Sequence, residues 1–467
     1  MHDSLPLLAT MALTAVIVLA AVASPAGAGV AFSILAAVGI LAVIKGWWRR
    51  AYVITILAMF AGASNIDALA AVGGPLKMAA LGSLLVVTLV ETAGKAAEYY
   101  NGIHKAAMRI LWLTVVYALV SFIWSVSRVE TLIEGLTFAG FVLLLQRVST
   151  VRWKDRGAMM GDLSAVYWTF FVMLAAGQVM AAFGMFEAIS DFSGRQQGIL
   201  NNPNLLGMLA AITFALGIGV AARRRSAITW ASLLIPASQV VLSQSRTAMI
   251  AVTVAVVVVV VKGSLARLVA ALAISLVGFL FIQASGVDLL GDSMDRFTAN
   301  EGGDVLNARG DVWGEVFERL AVNPLGVGWA ASQIALEALH AAGLGVGIFS
   351  VHNSYLQMLY ELGWAGLLPV VLVSGLLLVV IIKAPAKDFA AGLTATIVAG
   401  VAIQFTESAI FGVGQPYPYL FWFAVLAAVL SIKPKSKDDQ EKIRSFPLEA
   451  ADLSQQSASV GAGGPVN

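Results

Sequence analysis

Long apolar runs alternate with short polar segments along almost the whole chain. An α-helix rises about 1.5 Å per residue and the hydrocarbon core is about 30 Å thick, so each membrane span needs roughly 20 apolar residues. The pattern therefore predicts an all-α polytopic membrane protein with about 12–14 transmembrane helices. The predicted spans lie near 6–23, 28–44, 51–63, 77–91, 107–125, 131–146, 162–187, 204–221, 227–243, 247–261, 265–283, 354–382, 389–408 and 417–432.

Composition supports the membrane class. Hydrophobic residues make up 59% of the chain and charged residues 12%, whereas a soluble protein has about 25% charged residues. Cysteine is absent, which excludes disulfides and thiol chemistry. No internal repeat of fixed period is found, which weakens the case for a transporter built from two symmetric halves.

One long segment of mixed polarity interrupts the apolar runs and divides the chain. We expect five regions in chain order. They are N-terminal transmembrane helices at 1–120, transmembrane helices with polar turns at 121–283, a large extracytoplasmic loop at 284–353, C-terminal transmembrane helices at 354–432, and a disordered cytoplasmic tail at 433–467. The tail is assigned as disordered because it is rich in charge, Ser and Gly.

The basic residues predict the orientation, because cytoplasmic loops carry the excess of Lys and Arg. If both termini are cytoplasmic, 22 of the 29 basic residues lie on the cytoplasmic side and the loop 284–353 lies outside. The other seven are Lys77, Arg128, Arg195, Arg246, Arg296, Arg309 and Arg319. Arginine is favoured where a planar fork must grip phosphate or carboxylate. The alternative is that these arginines pair with nearby acids, which is the expected reading for Arg296 and Arg319.

Two of these arginines lie in turns between predicted spans. Arg195 occupies a turn rich in Gly and Asn just before Pro203, and a solvent-facing turn charge is the alternative to a functional role. Arg246 lies at the tip of a helical hairpin whose arms, 227–242 and 247–261, would be only about 24 and 22 Å long. The tip is therefore predicted to be recessed, and a charge within the membrane is by default a functional hypothesis. Bilayer thinning or a Glu partner would also explain it.

Arg309 is predicted to open an amphipathic helix. It lies in the first turn, where the helix macrodipole disfavours a cation. An anion shared between Arg309 and the free N–H groups of the helix start would compensate, and a pair with Asp304 or Asp311 is the alternative. The apolar positions at helical spacing, with which Arg309 would share a face, are Trp313, Val316, Phe317 and Leu320.

His352 lies where the loop meets the span 354–382, beside the possible helix caps Asn353 and Ser354. An imidazole near a helix N-terminus tends to stay neutral. A neutral histidine can orient a hydroxyl nucleophile or accept its proton. The alternative is a capping or interface residue without a catalytic role.

Together these segments resemble the O-antigen ligase and O-antigen polymerase superfamily of bacterial membrane proteins, over about residues 120–410. The resemblance rests on the order of several short motifs, their predicted topology and the single large extracytoplasmic loop. The motifs are Gly198 with Asn202-Pro203-Asn204, Ser243-Gln244-Ser245-Arg246, Arg309 with Trp313, Asn323-Pro324-Leu325-Gly326-Val327-Gly328, and His352-Asn353-Ser354-Tyr355 through Glu361-Leu362-Gly363.

The resemblance implies a C-type, all-helical glycosyltransferase of the bacterial cytoplasmic (inner) membrane that needs neither a metal nor another cofactor. Such enzymes transfer a glycan from a polyprenyl (undecaprenyl) pyrophosphate carrier to an acceptor hydroxyl outside the membrane. Carried over by motif, Arg246 and Arg309 would hold the donor pyrophosphate, with Arg195 as a further donor contact. His352 would position or deprotonate the acceptor. The expected partners are the carrier-linked donor, a glycan or lipid-glycan acceptor and the bilayer, with no nucleic acid.

Two alternatives remain open from the sequence. One is an O-antigen or exopolysaccharide repeat-unit polymerase of the same superfamily, since the shared motifs concern the donor. The other is a polysaccharide flippase or transporter. Transporters tend to place ionisable groups near mid-membrane in discontinuous helices, whereas the candidates here gather at one face. No Asp-x-Asp triplet occurs in the chain, so a divalent-metal route has no obvious ligand set.

Overall fold

The computed structural model describes residues 48–185, 188–190, 194–262, 309–342, 350–386 and 388–433. Several predictions lie outside these residues: the spans 6–23, 28–44 and 265–283, Arg296, the first part of the extracytoplasmic loop and nearly all of the C-terminal tail. Within the described residues the protein is helical, and its only β pairing consists of two isolated bridges, Ser64 with Leu200 and Ile189 with Gln196. The predicted all-α class is confirmed.

The described helices are numbered here in chain order. The first six are α1 (Trp48–Gly62), α2 (Asp67–Thr92), α3 (Gly102–Val120), α4 (Arg128–Thr150), α5 (Arg156–Ala182) and α6 (Pro203–Arg224). The hairpin around Arg246 contributes α7 (Ala227–Ala231), α8 (Leu234–Leu242) and α9 (Arg246–Lys262), and the segment 309–342 contributes α10 (Arg309–Val322) and α11 (Ser332–Ala341). The last four are α12 (Ser354–Leu362), α13 (Leu367–Lys383), α14 (Asp388–Gln404) and α15 (Tyr417–Ser431).

Within the described part of the chain, six helical segments are long and apolar enough to cross a membrane. They are Asp67–Thr92, Gly102–Ile123, Arg128–Lys154, Arg156–Ala182, Pro203–Arg224 and Trp364–Lys383. Three shorter apolar helical segments accompany them, at Ala227–Leu242, Phe389–Gln404 and Tyr417–Ser431. Each of these nine overlaps a predicted span, which confirms a multi-pass membrane protein.

Helix α6 forms the centre of the bundle. Almost all of its residues are buried, and it packs against α8, α9 and α14. At its contact with α14 the backbones meet at two glycines, because a Cβ placed on Gly219 would lie 3.2 Å from the Cα of Gly392. Small residues allow membrane helices to approach this closely and gain van der Waals contact. Helices α6, α9 and α14 therefore run side by side from one end of the bundle to the other.

A buried ion cluster fixes one end of the bundle. Asp162, whose side chain is fully buried, accepts hydrogen bonds from Nε of Arg49 and Nε of Arg152, both at 2.7 Å. It also accepts one from Nε1 of Trp153 at 3.0 Å, while Arg152 contacts Glu91 at 2.7 Å. Buried charges are stable only when they are paired in this way. The arginines in this cluster were predicted to share the cytoplasmic side, and they lie at one end of the bundle.

The predicted continuous span 354–382 is wrong in one respect, because the helix breaks. Helix α12 ends at Leu362, Gly363 has φ 67°, and α13 begins only at Leu367. The backbone on either side of the break is hydrogen-bonded to the glycine-rich turn at residues 323–328. The N–H of Trp364 donates to the carbonyl of Pro324 at 3.0 Å, and the N–H of Val327 donates to the carbonyl of Tyr360 at 3.0 Å.

The predicted apolar face of α10 also needs one correction. Val316 and Leu320 are buried as expected, but 46% of Phe317 is exposed. Val312 is buried in its place. The buried stripe follows positions four residues apart, Val312, Val316 and Leu320, so the packed face is turned slightly from the predicted one.

Candidate functional site

The predicted hairpin around Arg246 is present. Helix α8 ends at Leu242, α9 begins at Arg246, and the turn between them places Gln244 in the left-handed region at φ 47°. The first arm is interrupted after Ala231, where α7 ends and a turn leads into α8. Arg246 is half-buried and takes the first helical position of α9. A cation there opposes the helix macrodipole.

Arg195 lies against the tip of this hairpin. Its Nε donates to the carbonyl of Ser243 at 2.7 Å, and its Nη2 donates to Oδ1 of Asn204 at 2.6 Å. The N–H of Gln196, the next residue, donates to the carbonyl of Leu242 at 3.1 Å. The guanidinium therefore joins the hairpin tip to the first turn of α6 and holds the turn that precedes Arg246.

Three glutamine side chains support Arg195 from within the bundle. Nε2 of Gln196 lies 3.0 Å from Oε1 of Gln239, and Nε2 of Gln239 donates to Oε1 of Gln178 at 2.9 Å. Gln239 also donates to the carbonyl of Leu174 at 3.1 Å. Buried amides that satisfy one another rigidify their surroundings. The network ties α5, the segment of Arg195 and α8 into one support.

His352 forms a pair with a carboxylate. Its Nδ1 lies 3.1 Å from Oε2 of Glu407, and the two side chains are 28% and 9% exposed. His352 has φ 49°, and it precedes Asn353, the N-cap of α12. Within the described residues no partner is found for Nε2 of His352. The carboxylate therefore fixes the ring through one nitrogen and leaves the other available to a substrate.

The segment after α14 holds His352 in place through its neighbours. Nδ2 of Asn353 donates to the carbonyl of Phe405 at 3.0 Å, and the N–H of Asn353 donates to Oγ of Ser408 at 3.2 Å. Oγ of Ser354 donates to the carbonyl of Glu407 at 2.9 Å and accepts from the N–H of Ala409 at 3.0 Å. The start of α12 and residues 405–409 thus form one hydrogen-bonded unit.

A hydroxyl pair connects this unit to the arginine hairpin. Oγ1 of Thr247 lies 2.7 Å from Oγ1 of Thr406. Thr247 follows Arg246 directly, and Thr406 precedes Glu407 directly. The first turn of α9 therefore lies beside the pair formed by His352 and Glu407.

The helix of Arg309 reaches the same place. The described part of helix α10 begins at Arg309, which the sequence places in the first turn, and Nε1 of Trp313 donates to the carbonyl of Val351 at 3.0 Å. Trp313 lies one turn after Arg309, and Val351 precedes His352. The starts of α9, α10 and α12 are thus brought together, although the side chain of Arg309 itself lies outside the description. Helix starts offer free N–H groups and a partial positive charge, both of which favour an anion.

A buried carboxylate on α12 holds the segment 309–342 against that helix. Oε2 of Glu361 accepts from the N–H of Ala330 at 2.9 Å, and its Oε1 accepts from Oγ of Ser332 and Nε2 of Gln357, each at 2.7 Å. Burial raises the pKa of the Glu361 carboxyl. Ala330 and the start of α11 are therefore held to α12 by one carboxylate that accepts three hydrogen bonds.

Arg319 and His352 each have an acidic partner, Glu315 and Glu407. The expected acid partner of Arg319 exists, but it is Glu315 in the same helix, with Nη2 at 3.9 Å from Oε1. Glu407 was not singled out. It falls inside the predicted span 389–408, where an ionisable residue is a functional hypothesis by default, so a signal was available. Helix α14 ends at Gln404, so Glu407 lies in the turn beyond it.

Among the residues described, no group of three or more His, Cys, Asp or Glu side chains is placed to hold a metal ion. The residues that the structure brings together here are Arg246, His352 and Glu407, at or beside the starts of α9 and α12.

One family model matches part of the chain. Residues 231–371 match the family model described as O-antigen ligase, which confirms the resemblance to the O-antigen ligase and polymerase superfamily. The matched segment contains Arg246, Arg309 and His352, whereas Arg195 and Glu407 lie outside it. Among curated proteins no match to the chain is found.

Proposed function

Because residues 231–371 carry an O-antigen ligase domain, we propose that this multi-pass membrane protein is a glycosyltransferase of that type. It transfers a glycan from a polyprenyl pyrophosphate carrier to an acceptor hydroxyl on the extracytoplasmic face of the bacterial inner membrane. The observation that carries the proposal is the pair of His352 and Glu407 beside the first turn of α9, which begins with Arg246.

The donor half of the reaction requires a site for a leaving diphosphate. When the bond between the anomeric carbon and the pyrophosphate oxygen breaks, the electron pair stays on the pyrophosphate. Preorganised cations and N–H groups stabilise that charge best where water is partly excluded. In this proposal Arg246 and Arg309 bind the diphosphate, and the starts of α9 and α10 add free N–H groups. This arrangement needs no divalent metal to neutralise the leaving group.

The acceptor half requires a base. In the tautomer in which Nδ1 of His352 donates to Glu407, Nε2 is an acceptor. The acceptor hydroxyl donates its proton to Nε2 while its oxygen attacks the anomeric carbon and the carrier pyrophosphate leaves. Glu407 orients the ring and stabilises the imidazolium that forms, in the manner of the carboxylate in a catalytic triad. Glu407 is therefore a positioning residue and His352 the catalytic one.

Arg195 serves the donor site through the hairpin. Two of its N–H groups bind Ser243 and Asn204, and a guanidinium has five such groups. Its role in the proposal is to hold the turn before Arg246. This refines the donor contact implied by the family resemblance.

The proposal is tested by transfer with purified protein in lipid nanodiscs, a carrier-linked glycan donor and an acceptor glycan. We expect Arg246→Ala, Arg309→Ala and His352→Ala each to reduce the rate by about 100-fold or more, in the range of lost charge stabilisation or general-base catalysis. Arg319→Ala is the matched control, because Arg319 lies on the same helix as Arg309 but pairs with Glu315. Wild-type transfer in all three variants would overturn the proposal.

The same experiment separates the alternatives. A ligase joins the finished glycan to a terminal acceptor such as a lipid-linked core, whereas a polymerase joins it to the next carrier-linked repeat unit. Supplying both acceptors and determining product size by gel and mass spectrometry distinguishes them. A flippase would move the donor across a sealed vesicle without forming any new glycosidic bond.

A further inference from the structure

A large cavity lies at the end of the bundle opposite His352. It has a volume of about 1430 Å³ and opens between the ends of α6, α13 and α15 and the starts of α3, α5 and α14. Helix α14 begins at this cavity with Phe389 and Ala390 and ends just before Thr406. Its 17 residues separate the cavity from the candidate catalytic site by about 25 Å. The cavity is therefore a different place from the proposed donor site.

Basic side chains surround the cavity. Five cations line it, and none of them forms an ion pair with a carboxylate within the part of the chain that the structure describes. The neighbouring Arg49 and Arg152 behave differently, since both pair with Asp162. Two arginines at this end of the bundle are thus paired with a carboxylate of the protein. Among the described residues the cavity cations have no such carboxylate, so they can bind the anion of a ligand. They are Arg156, Arg223, Arg224, Lys383 and Lys433.

The inner part of the cavity combines apolar walls with one buried hydroxyl. Oγ of Ser164 is buried and has no hydrogen-bond partner among the described residues, although Ser164 lines the cavity and is 4% exposed. A buried polar atom without a partner costs free energy unless a ligand or water satisfies it. The walls around it are apolar and include Met159, Met160, Val220, Phe389 and Leu430.

We propose that this cavity binds the headgroup of an anionic phospholipid from the adjacent leaflet. The phosphate groups lie among the five cations, Ser164 donates its hydroxyl to a headgroup oxygen, and an acyl chain lies along the apolar walls. Basic pockets between transmembrane helices are suited to such headgroups. Five cations exceed the charge of one phosphate diester, so a lipid with two phosphates, such as diphosphatidylglycerol, binds most tightly. The proposal does not depend on the transfer reaction.

The test measures lipid retention by the full-length protein using native mass spectrometry, with titration of diphosphatidylglycerol, phosphatidylglycerol, phosphatidylcholine and inorganic phosphate as separate probes. We expect affinity to fall in that order for the lipids, with inorganic phosphate binding at least 10-fold more weakly than diphosphatidylglycerol. Equal binding of inorganic phosphate and the anionic lipids would show a phosphate site and overturn the lipid proposal.

Two charge-matched double variants test the location. Arg223→Gln with Arg224→Gln removes two cavity cations and should weaken diphosphatidylglycerol binding at least 10-fold. Lys105→Gln with Arg109→Gln removes two exposed cations of α3 that do not line the cavity, and binding should be unchanged. Equal weakening by both pairs would show a diffuse surface charge and overturn the proposal.

A third variant tests the inner contact. Ser164→Ala leaves every cation in place and should weaken lipid binding several-fold, while the thermal unfolding midpoint in phosphatidylcholine stays at the wild-type value. Unchanged lipid binding in Ser164→Ala would show that the headgroup does not contact Ser164 and would overturn the proposed position of the headgroup. Because the measurement is independent of glycan transfer, its failure would leave the proposed function unaffected.

Discussion

Oε2 of Glu407 lies 3.1 Å from Nδ1 of His352, so a carboxylate from the turn after α14 orients an imidazole at the start of α12. The same turn carries Thr406, which contacts Thr247 next to Arg246. One short segment therefore relates the proposed base to the proposed donor-binding helix.

Glu407 is expected to act on the rate and not on donor binding. Glu407→Gln keeps a hydrogen-bond acceptor near Nδ1 but removes the charge that stabilises the imidazolium. We expect kcat to fall about 10- to 100-fold while KM for the donor is unchanged, with partial rescue in Glu407→Asp. Steady-state kinetics of glycan transfer measure both constants. Glu337→Gln is the control, since Glu337 is an exposed acid on α11. A raised donor KM with normal kcat would contradict the assignment.

Arg195 is expected to act through the hairpin tip. Arg195→Lys cannot reproduce two donors in a planar fork, and Asn204→Ala removes only the acceptor of one of them. We expect Arg195→Lys to raise the donor KM about 10-fold, the value of one lost charged hydrogen bond, and Asn204→Ala to have a smaller effect in the same direction. A donor titration measures both. If Asn204→Ala has no effect while Arg195→Lys does, Arg195 acts on the donor alone.

Gly326 is expected to be essential for packing of the segment 309–342 against the end of α12. It has φ 76°, and a Cβ there would overlap the backbone nitrogen of Gly363 and lie 2.6 Å from the carbonyl oxygen of Tyr360. Gly326→Ala should therefore lower the free energy of unfolding by about 2 kcal/mol or more. Gly314→Ala is the matched control, because Gly314 lies within α10 with open space around it. That change should raise stability by about 0.5–1 kcal/mol. Thermal unfolding in detergent compares them, and equal effects would contradict the prediction.

Glu361 is expected to make stability depend on pH. Burial raises the pKa of its carboxyl from the ordinary value of 4.5 in the folded protein, so the folded state binds a proton more tightly than the unfolded state does. This stabilisation is complete below the unfolded-state pKa and is lost as pH rises through the folded-state pKa. The unfolding midpoint of the wild type should fall over that window more steeply than that of Glu361→Gln. A wild-type midpoint that rises over the window would contradict the prediction.

Apolar length predicted the helices well, but not where they break. The run 354–382 reads as one span because its residues stay mostly apolar. The break at Gly363 arises from a distant segment, since Pro324 and Val327 bond to the backbone on either side of it. Phe317 illustrates the same limit. Helical spacing placed it on the apolar face of α10, while packing with α12 buries Val316 and Leu320, and Val312 is buried as well.

At the site, the sequence could identify the cations and the imidazole but not their relationships. Arg246 and Arg309 each stand at the start of a helix, as expected from hairpin length and helical spacing. The role of Glu407 depends on a contact across 55 positions of the chain. No local pattern encodes such a contact, because it is set by how α14 ends beside α12.

The packing around α9 has a consequence for any shortened version of the protein. The O-antigen ligase match spans 231–371, yet α9 lies within it and packs against α6 and α14, which do not. Excising the matched segment would expose the faces of α9 that these neighbours cover and would remove Arg195 and Glu407 as well. The matched stretch therefore packs as part of a larger unit, and a shortened protein that keeps these contacts has to include at least residues 195–407.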